Sequence, residues 1–245
     1  MTSDSSQLND KALAGLEALT NLLKDGGAGD HAPSPLERRP FMIGWGLVAA
    51  LHRQACAVLL LHRSNLGHEA APNRRLMIEY MSQLQWLARD GEAAADSMNK
   101  HFQYSHGKLR KAVDEGGIFT YDDEVAAAAD SVATASLPSS PTDTFNGTAH
   151  LLGSLGNGIQ EVWISETQLS HSGIAAARAF FDDSASDVIH LFDAPRYGSA
   201  PNPAEASPFM AFMLLYFGIQ AFNELMVDQP WTAELDRIGQ MGGLA

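Results

Sequence analysis

Two segments of the chain are apolar on almost every side, and they constrain the fold more than any other feature. They cover residues 41–64 and 209–222. A helix without a polar face belongs in the interior of a protein, so both segments are predicted to be central helices. The chain has 245 residues, of which 45% are hydrophobic, and this is enough to bury one such core in a single domain.

Apolar residues at intervals of three and four predict further helices around this pair. These lie at 8–23, 69–89, 92–113, 122–135, 157–169, 173–181 and 231–240. Only residues 187–192 carry a strand-like pattern. We therefore predict an all-α fold, an irregular antiparallel helical bundle of about six to eight helices with at most one short strand.

Glycine and proline residues predict how the chain is divided. They cluster between the first helix and residue 41, so residues 1–40 are interpreted as an N-terminal helix followed by a Pro/Gly-rich linker. Residues 41–245 are then a single helical-bundle domain. Pro138 and Pro141, with serine and threonine neighbours, predict a mobile loop at 137–147.

Charge and composition exclude several classes of partner. The 29 acidic and 16 basic residues give a formal charge of −13, which repels phosphate backbones, so nucleic acid is an unlikely partner. The single cysteine favours a reducing compartment. The polar, acidic start does not have the pattern of a secretory signal, and residues 209–222 are shorter than the roughly 20 residues of a membrane span. We expect a cytoplasmic protein without a membrane segment.

The helix predicted at 209–222 has a second interpretation. Its large apolar residues cover more than one face, and such a helix lies either in a core or in an interface. A homodimer through this helix is therefore the alternative to burial within one chain. The residues concerned are Phe209, Phe212, Met213, Tyr216 and Phe217.

Polar residues on the second and third helices form the candidate site. Arg75 and Glu79 are four residues apart, so they can form an ion pair on one helix or reach a neighbouring helix. On the second helix, Arg63 shares one face with His52 and Cys56. Such residues form either a polar brace between helices or the floor of a ligand pocket, and both interpretations stay open.

No metal and no cofactor are predicted. Carboxylate-bridged dimetal bundles need Glu-x-x-His pairs that project from one helix turn, and the predicted helices contain none. The pairs His101 with His106 and Glu166 with His171 are each five residues apart, which splays their side chains by about 140°. Neither pair forms a metal-binding face.

Two blocks of the sequence resemble a bacterial family of helical domains of unknown function. The first is AVLLLHRSNLGHEAAPNRRLMIEYMSQLQWLAR, residues 57–89, in which Arg75 and Glu79 fill an Arg-x-x-x-Glu motif. The second is WISETQLSHSG, residues 163–173, which contains Ser170 and His171 in a Leu-Ser/His block. The resemblance implies a helical bundle in which Arg75, Glu79 and His171 lie near one another, and it implies no established activity.

Such domains are compared with the HEPN superfamily, whose ribonucleases carry an arginine followed four to six residues later by a histidine. Arg63 and His68 have this spacing. Our leading hypothesis is a protein that binds a partner or a small ligand without catalysis, because no catalytic constellation is complete. The alternatives are a HEPN-like, metal-independent ribonuclease and a small-molecule enzyme that uses Glu79 or His171 as general base.

Overall fold

A computed structural model of the chain describes residues 3–26, 31–33, 38–116, 122–156, 158–182, 184, 188–197, 202 and 204–244. These residues form nine α-helices, two short 3-10 helices and one two-stranded sheet. The predicted all-α bundle is confirmed, with one helix more than the predicted range. The α-helices are α1 (Ser3–Gly26), α2 (Arg38–Arg63), α3 (Ala71–Asp114), α4 (Asp123–Thr134), α5 (Thr148–Leu155), α6 (Ile159–Ser170), α7 (Ile174–Ala177), α8 (Ser207–Asn223) and α9 (Thr232–Gly242).

The sheet lies between α7 and α8. Its strands are β1 (Phe181–Asp182) and β2 (His190–Leu191), which pair antiparallel. We predicted at most one strand, in 187–192, of which residue 187 lies outside the described residues. A strand needs a partner for its backbone hydrogen bonds, and here the partner is β1, which begins at the last residue of the helix predicted at 173–181. A 3-10 helix, Arg178–Phe180, leads directly into β1.

Helix α8 is the centre of the bundle. It packs against α1, α2, α3 and α9, and 11 of its 17 residues are buried. Gly218 allows the close approach to α2, since a Cβ atom at this position would lie 2.2 Å from Leu51 Cδ2. Burial within one chain therefore accounts for most of the apolar surface of α8. A homodimer through this helix stays a prediction.

Helix α1 forms one layer of this core. Leu16 and Leu19 are fully buried, and α1 packs against both α8 and α9. The sequence separates residues 1–40 from the bundle because of the linker. Residues 27–30 and 34–37 of that linker lie outside the described residues, whereas the carbonyl of Ala32 accepts a 3.2 Å hydrogen bond from the backbone N–H of Val227.

Helix α2 is long and apolar enough to cross a membrane, by length and composition only, and no other helix of the described residues is. The length argument that excludes α8 as a span does not exclude α2, which has 26 residues. The core helix of a soluble bundle passes the same test, and Val48, Leu51 and Val58 of α2 are fully buried. The lack of a membrane segment and the cytoplasmic location stay predictions.

Helix α3 is broken at Gly91. The backbone there has φ 52° and ψ −125°, which is outside the helical region, so α3 consists of two helical halves. The sequence predicted this division, with helices at 69–89 and 92–113. Just beyond the break, the carbonyl of Ala93 accepts hydrogen bonds from Ser140 Oγ at 2.7 Å and Thr142 Oγ1 at 3.0 Å.

The loop predicted at 137–147 ends in a 3-10 helix, Asp143–Asn146. Asp143 joins this helix to α3, because its carboxylate accepts hydrogen bonds from Lys100 Nζ at 2.6 Å and Ser97 Oγ at 3.0 Å. The hydrogen bond from Lys100 is the main cause that lowers the pKa of the Asp143 carboxyl group. Mobility of the loop stays a prediction, but this end of it is held against α3.

Candidate functional site

A cavity of about 380 Å³ lies where α2, α3, α5 and the 3-10 helix Asp143–Asn146 meet. Its volume is within the range of small-molecule sites, about 300 to 1,000 Å³. The wall combines aliphatic, aromatic and uncharged polar side chains with one carboxylate. The lining residues are Ile43, Leu47, Glu79, Ser82, Gln83, Trp86, Met98, His101, Phe102, Ser105, Phe145, Asn146, Thr148 and Leu151.

Two residues of this wall carry buried polar atoms without a partner. Neither Trp86 Nε1 nor Asn146 Oδ1 has a hydrogen-bond partner among the described residues. Trp86 is 2% exposed. Leaving a buried donor or acceptor unpaired costs about 1 to 3 kcal/mol, so natural proteins contain few such atoms. Both atoms belong to residues that line this cavity, which makes it the candidate binding site.

Aromatic packing holds these two residues in the same part of the wall. The rings of Trp86 and Phe145 meet edge to face, with centroids 6.0 Å apart and planes at 82°. Asn146 follows Phe145 directly in the chain. The guanidinium of Arg89 lies 5.2 Å from the Phe145 ring centroid and forms an ion pair with Asp90 at 2.8 Å. The 3-10 helix is thus fixed by Asp143 at its start and by Phe145 near its end.

Glu79 connects the cavity to a polar brace between α3 and α6. Its Oε1 atom lies 2.9 Å from Arg75 Nη2 and accepts a 2.9 Å hydrogen bond from Trp163 Nε1. Arg75 Nε also donates to Thr167 Oγ1 at 3.1 Å, and its guanidinium lies 5.8 Å from the Trp163 ring centroid. The structure therefore brings Arg75 and Glu79 together in a brace, and Glu79 alone of the two also lines the cavity.

Ser170 and His171 lie at the other end of α6. Ser170 Oγ donates to the carbonyl of Glu166 at 2.6 Å. His171 is exposed and forms the C-cap of the helix. Within the described part of the chain, its imidazole makes no hydrogen bond or ion pair with Arg75 or Glu79. The structure therefore does not join these two residues to the brace through direct contacts.

Arg63 belongs to a different part of the surface. It pairs with Glu17 of α1 at 2.5 Å and lines a separate cavity of about 240 Å³ together with His52 and Cys56. His52 Nε2 lies 3.1 Å from the carbonyl of Thr20, so it serves there as a donor, and it is 3.5 Å from Cys56 Sγ. Burial raises the pKa of the Cys56 thiol, which opposes formation of a nucleophilic thiolate.

Sequence reasoning missed a buried ion pair next to the brace. Arg74 is fully buried, and its Nε donates to Glu166 Oε1 at 3.0 Å. Its Nη1 donates to the carbonyl of Gly67 at 2.6 Å and to Ser207 Oγ at 3.0 Å. The signal was the helical spacing of Arg74 with Met77 and other buried residues of α3, which places it on the inner face of the helix.

His68 lies beside this ion pair and does not face Arg63. Its Nδ1 is hydrogen-bonded to the hydroxyl of Tyr197, and its ring meets Phe180 edge to face at a centroid distance of 5.6 Å. Burial raises the pKa of Tyr197 to about 12. Arg63 and His68 therefore contact different elements of the described structure, and a HEPN-like ribonuclease stays an alternative from the sequence.

Comparison with known proteins leaves the cavity as the basis for function. No protein-family model matches the chain, and no curated protein or solved structure is significantly similar to it. The bacterial helical family and its HEPN-like relatives therefore stay an expectation from the sequence.

Proposed function

We propose that this protein binds a small organic molecule in the cavity between α2, α3 and α5 without transforming it. The observation that carries the proposal is the pair of unpartnered buried atoms in one wall, Trp86 Nε1 and Asn146 Oδ1. An occupant that pairs with both atoms recovers a cost of about 1 to 3 kcal/mol for each. The free energy of binding then has an identified source in addition to apolar contacts.

The 3-10 helix Asp143–Asn146 carries one of the two unpartnered atoms. Both atoms have almost no solvent-accessible surface, so a ligand pairs with them only after a local rearrangement of the wall. The helix is attached to α3 by the Asp143 hydrogen bonds with Lys100 and Ser97.

Glu79 supplies a further acceptor in the same wall. Both of its described contacts are made by Oε1, which leaves Oε2 available to a ligand donor. The small-molecule enzyme is the second candidate function, because Glu79 is the one residue of the expected Glu/His general-base pair that lines the cavity. His171 is not among the lining residues of the described wall.

A ligand-observed NMR screen with a library of small aromatic and aliphatic compounds tests the proposal. The wild type is compared with Ser105→Trp, which adds an indole at an exposed position of the wall. Ala112→Trp is the matched control, since Ala112 is an exposed residue of the same helix outside the described wall. We expect hits that bind the wild type and Ala112→Trp but not Ser105→Trp.

Two results would contradict the proposal. If no library compound binds the wild type, the proposed binding of a small molecule is contradicted. If the hits bind Ser105→Trp as well as the wild type, the binding site lies outside this cavity. Conversion of a hit to product, lost in Glu79→Gln, would support the enzyme instead of the binding protein.

A further inference from the structure

We propose that the occupant of this cavity is an uncharged, planar aromatic molecule that carries an amide or lactam group at one edge. This inference rests on the proposed function and specifies its ligand. It follows from the charges of the wall, from the two unpartnered atoms, and from the aromatic side chains around them.

The charges of the wall disfavour an anionic ligand. Among the described lining residues there is no lysine or arginine, and the one imidazole, that of His101, lies on an exposed residue, so a buried carboxylate or phosphate would lack a permanent cationic partner. Two cations that contact the 3-10 helix Asp143–Asn146 are already paired. Lys100 is bound to Asp143 at 2.6 Å, and Arg89 is bound to Asp90 at 2.8 Å.

A cationic ligand is disfavoured for the corresponding reason. Glu79 is the only carboxylate in the described wall, and it is paired with Arg75 at 2.9 Å. An ammonium group in the cavity would therefore meet a carboxylate whose charge is already compensated. An uncharged ligand avoids both desolvation costs.

The two unpartnered atoms define the polar edge of the ligand. The indole Nε1 of Trp86 can only donate, and the amide Oδ1 of Asn146 can only accept. The complementary group offers one acceptor and one donor. Because Phe145 contacts Trp86 and precedes Asn146, the residues that carry the two atoms lie in the same part of the wall, and the inference assigns both atoms to one amide or lactam edge.

The remaining wall favours a flat ring. Trp86 and Phe145 meet edge to face, and Phe102 is 52% exposed and lies 4.2 Å from the His106 ring, by centroids. Aromatic surfaces in these orientations pack against a planar ring in offset or edge-to-face geometry. The aliphatic residues Leu47 and Leu151 supply further apolar contact.

Four probes of similar size separate the alternatives: benzamide, benzoate, benzylamine as its ammonium ion, and toluene. Their affinities for the full-length protein are measured by ligand-observed NMR titration at pH 7. We expect benzamide to bind at least about tenfold more tightly than each of the other three. Equal or tighter binding of benzoate or of the benzylammonium ion would overturn the inference, and so would equal binding of toluene.

A charge-changing variant tests the proposed contact between Asn146 and the amide or lactam edge of the ligand. Asn146→Asp keeps the size of the side chain and replaces the amide with a carboxylate. We expect the preference for benzamide over the benzylammonium ion to fall by about tenfold or to reverse in this variant. Ser105→Trp should bind none of the probes, and Ala112→Trp should behave as the wild type. An unchanged preference in Asn146→Asp would contradict the inference.

Failure of this inference is distinguishable from failure of the proposed function. If none of the four probes binds while other library compounds bind the wild type but not Ser105→Trp, the ligand class is wrong and the binding function stands. If no library compound binds either, both fail.

Discussion

Arg74 and Glu166 form an ion pair in the interior of the bundle, with Nη2 and Oε2 3.0 Å apart and side-chain exposures of 0% and 2%. The second pair of atoms, Nε and Oε1, forms a hydrogen bond at 3.0 Å. This interaction joins α3 to α6. Arg74 also reaches Ser207, so the start of α8 is tied to the same point. Three helices therefore depend on one arginine.

Arg74→Ala should lower the free energy of unfolding by about 3 to 5 kcal/mol, because it leaves the Glu166 carboxylate buried without its cationic partner. Urea denaturation followed by circular dichroism measures the change. Arg63→Ala is the control, since the Arg63 side chain is 59% exposed in its pair with Glu17, and it should cost less than about 1 kcal/mol. Equal effects of the two substitutions would show that burial of the Arg74 pair does not matter for stability.

The neighbouring arginines show where sequence reasoning stopped. The motif Arg-x-x-x-Glu selects Arg75, and the structure does pair Arg75 with Glu79. The fully buried arginine is Arg74, whose partner Glu166 lies 92 residues away. Spacing along a helix can predict an i,i+4 contact, but it cannot identify a partner on another helix.

Arg75→Ala should destabilise the protein less than Arg74→Ala, by about 1 to 2 kcal/mol, since the Arg75 side chain is 27% exposed and water replaces part of the lost interactions. A double-mutant cycle with Trp163→Phe, measured by urea denaturation, isolates the coupling through Glu79. We expect the two substitutions to be non-additive by at least about 0.5 kcal/mol. Strict additivity would mean that the brace does not act as a unit.

Helix breaks were more accessible to prediction than the cavity. Gly91 was placed between two predicted helices, because glycine interrupts an apolar repeat at that point, and the structure breaks there. The cavity is formed by side chains from residue 43 to residue 151, so no local pattern reveals it. In particular, nothing in the sequence around Trp86 or Asn146 indicates that their polar atoms lack partners.

Gly91→Ala should lower the free energy of unfolding by roughly 1 to 3 kcal/mol, because φ 52° with ψ −125° is a conformation that residues with a Cβ atom rarely adopt. The same substitution at Gly107 is a control within the same helix. A Cβ atom there meets nothing within 4 Å, so Gly107→Ala should stabilise the protein by about 0.5 to 1 kcal/mol. Thermal unfolding of both variants checks the opposite signs.

Tyr197 makes the stability of the folded protein depend on pH in the alkaline range. Its pKa is raised from 10.0 to about 12, so the folded state retains the phenol proton that the unfolded state loses above pH 10. This contribution to stability is complete below pH 10 and disappears as the pH rises from 10 to about 12. Tyr197→Phe should therefore show a smaller loss of stability over this interval than the wild type. The free energy of unfolding is measured by urea denaturation at several pH values. If it falls equally with pH in the wild type and in Tyr197→Phe, the raised pKa of Tyr197 is contradicted.

The indole N–H of Trp86 tests the central claim most directly. In a ¹H–¹⁵N spectrum with labelled tryptophan, the four indole signals are followed while a hit from the library screen is added, and Trp86→Phe identifies the signal of interest. We predict that the Trp86 signal moves as the protein becomes saturated with ligand, because Nε1 gains a hydrogen-bond acceptor. The signal of Trp231, which lies outside the described wall, should stay in place. A Trp86 signal that stays in place while the ligand saturates the protein would contradict binding in this cavity.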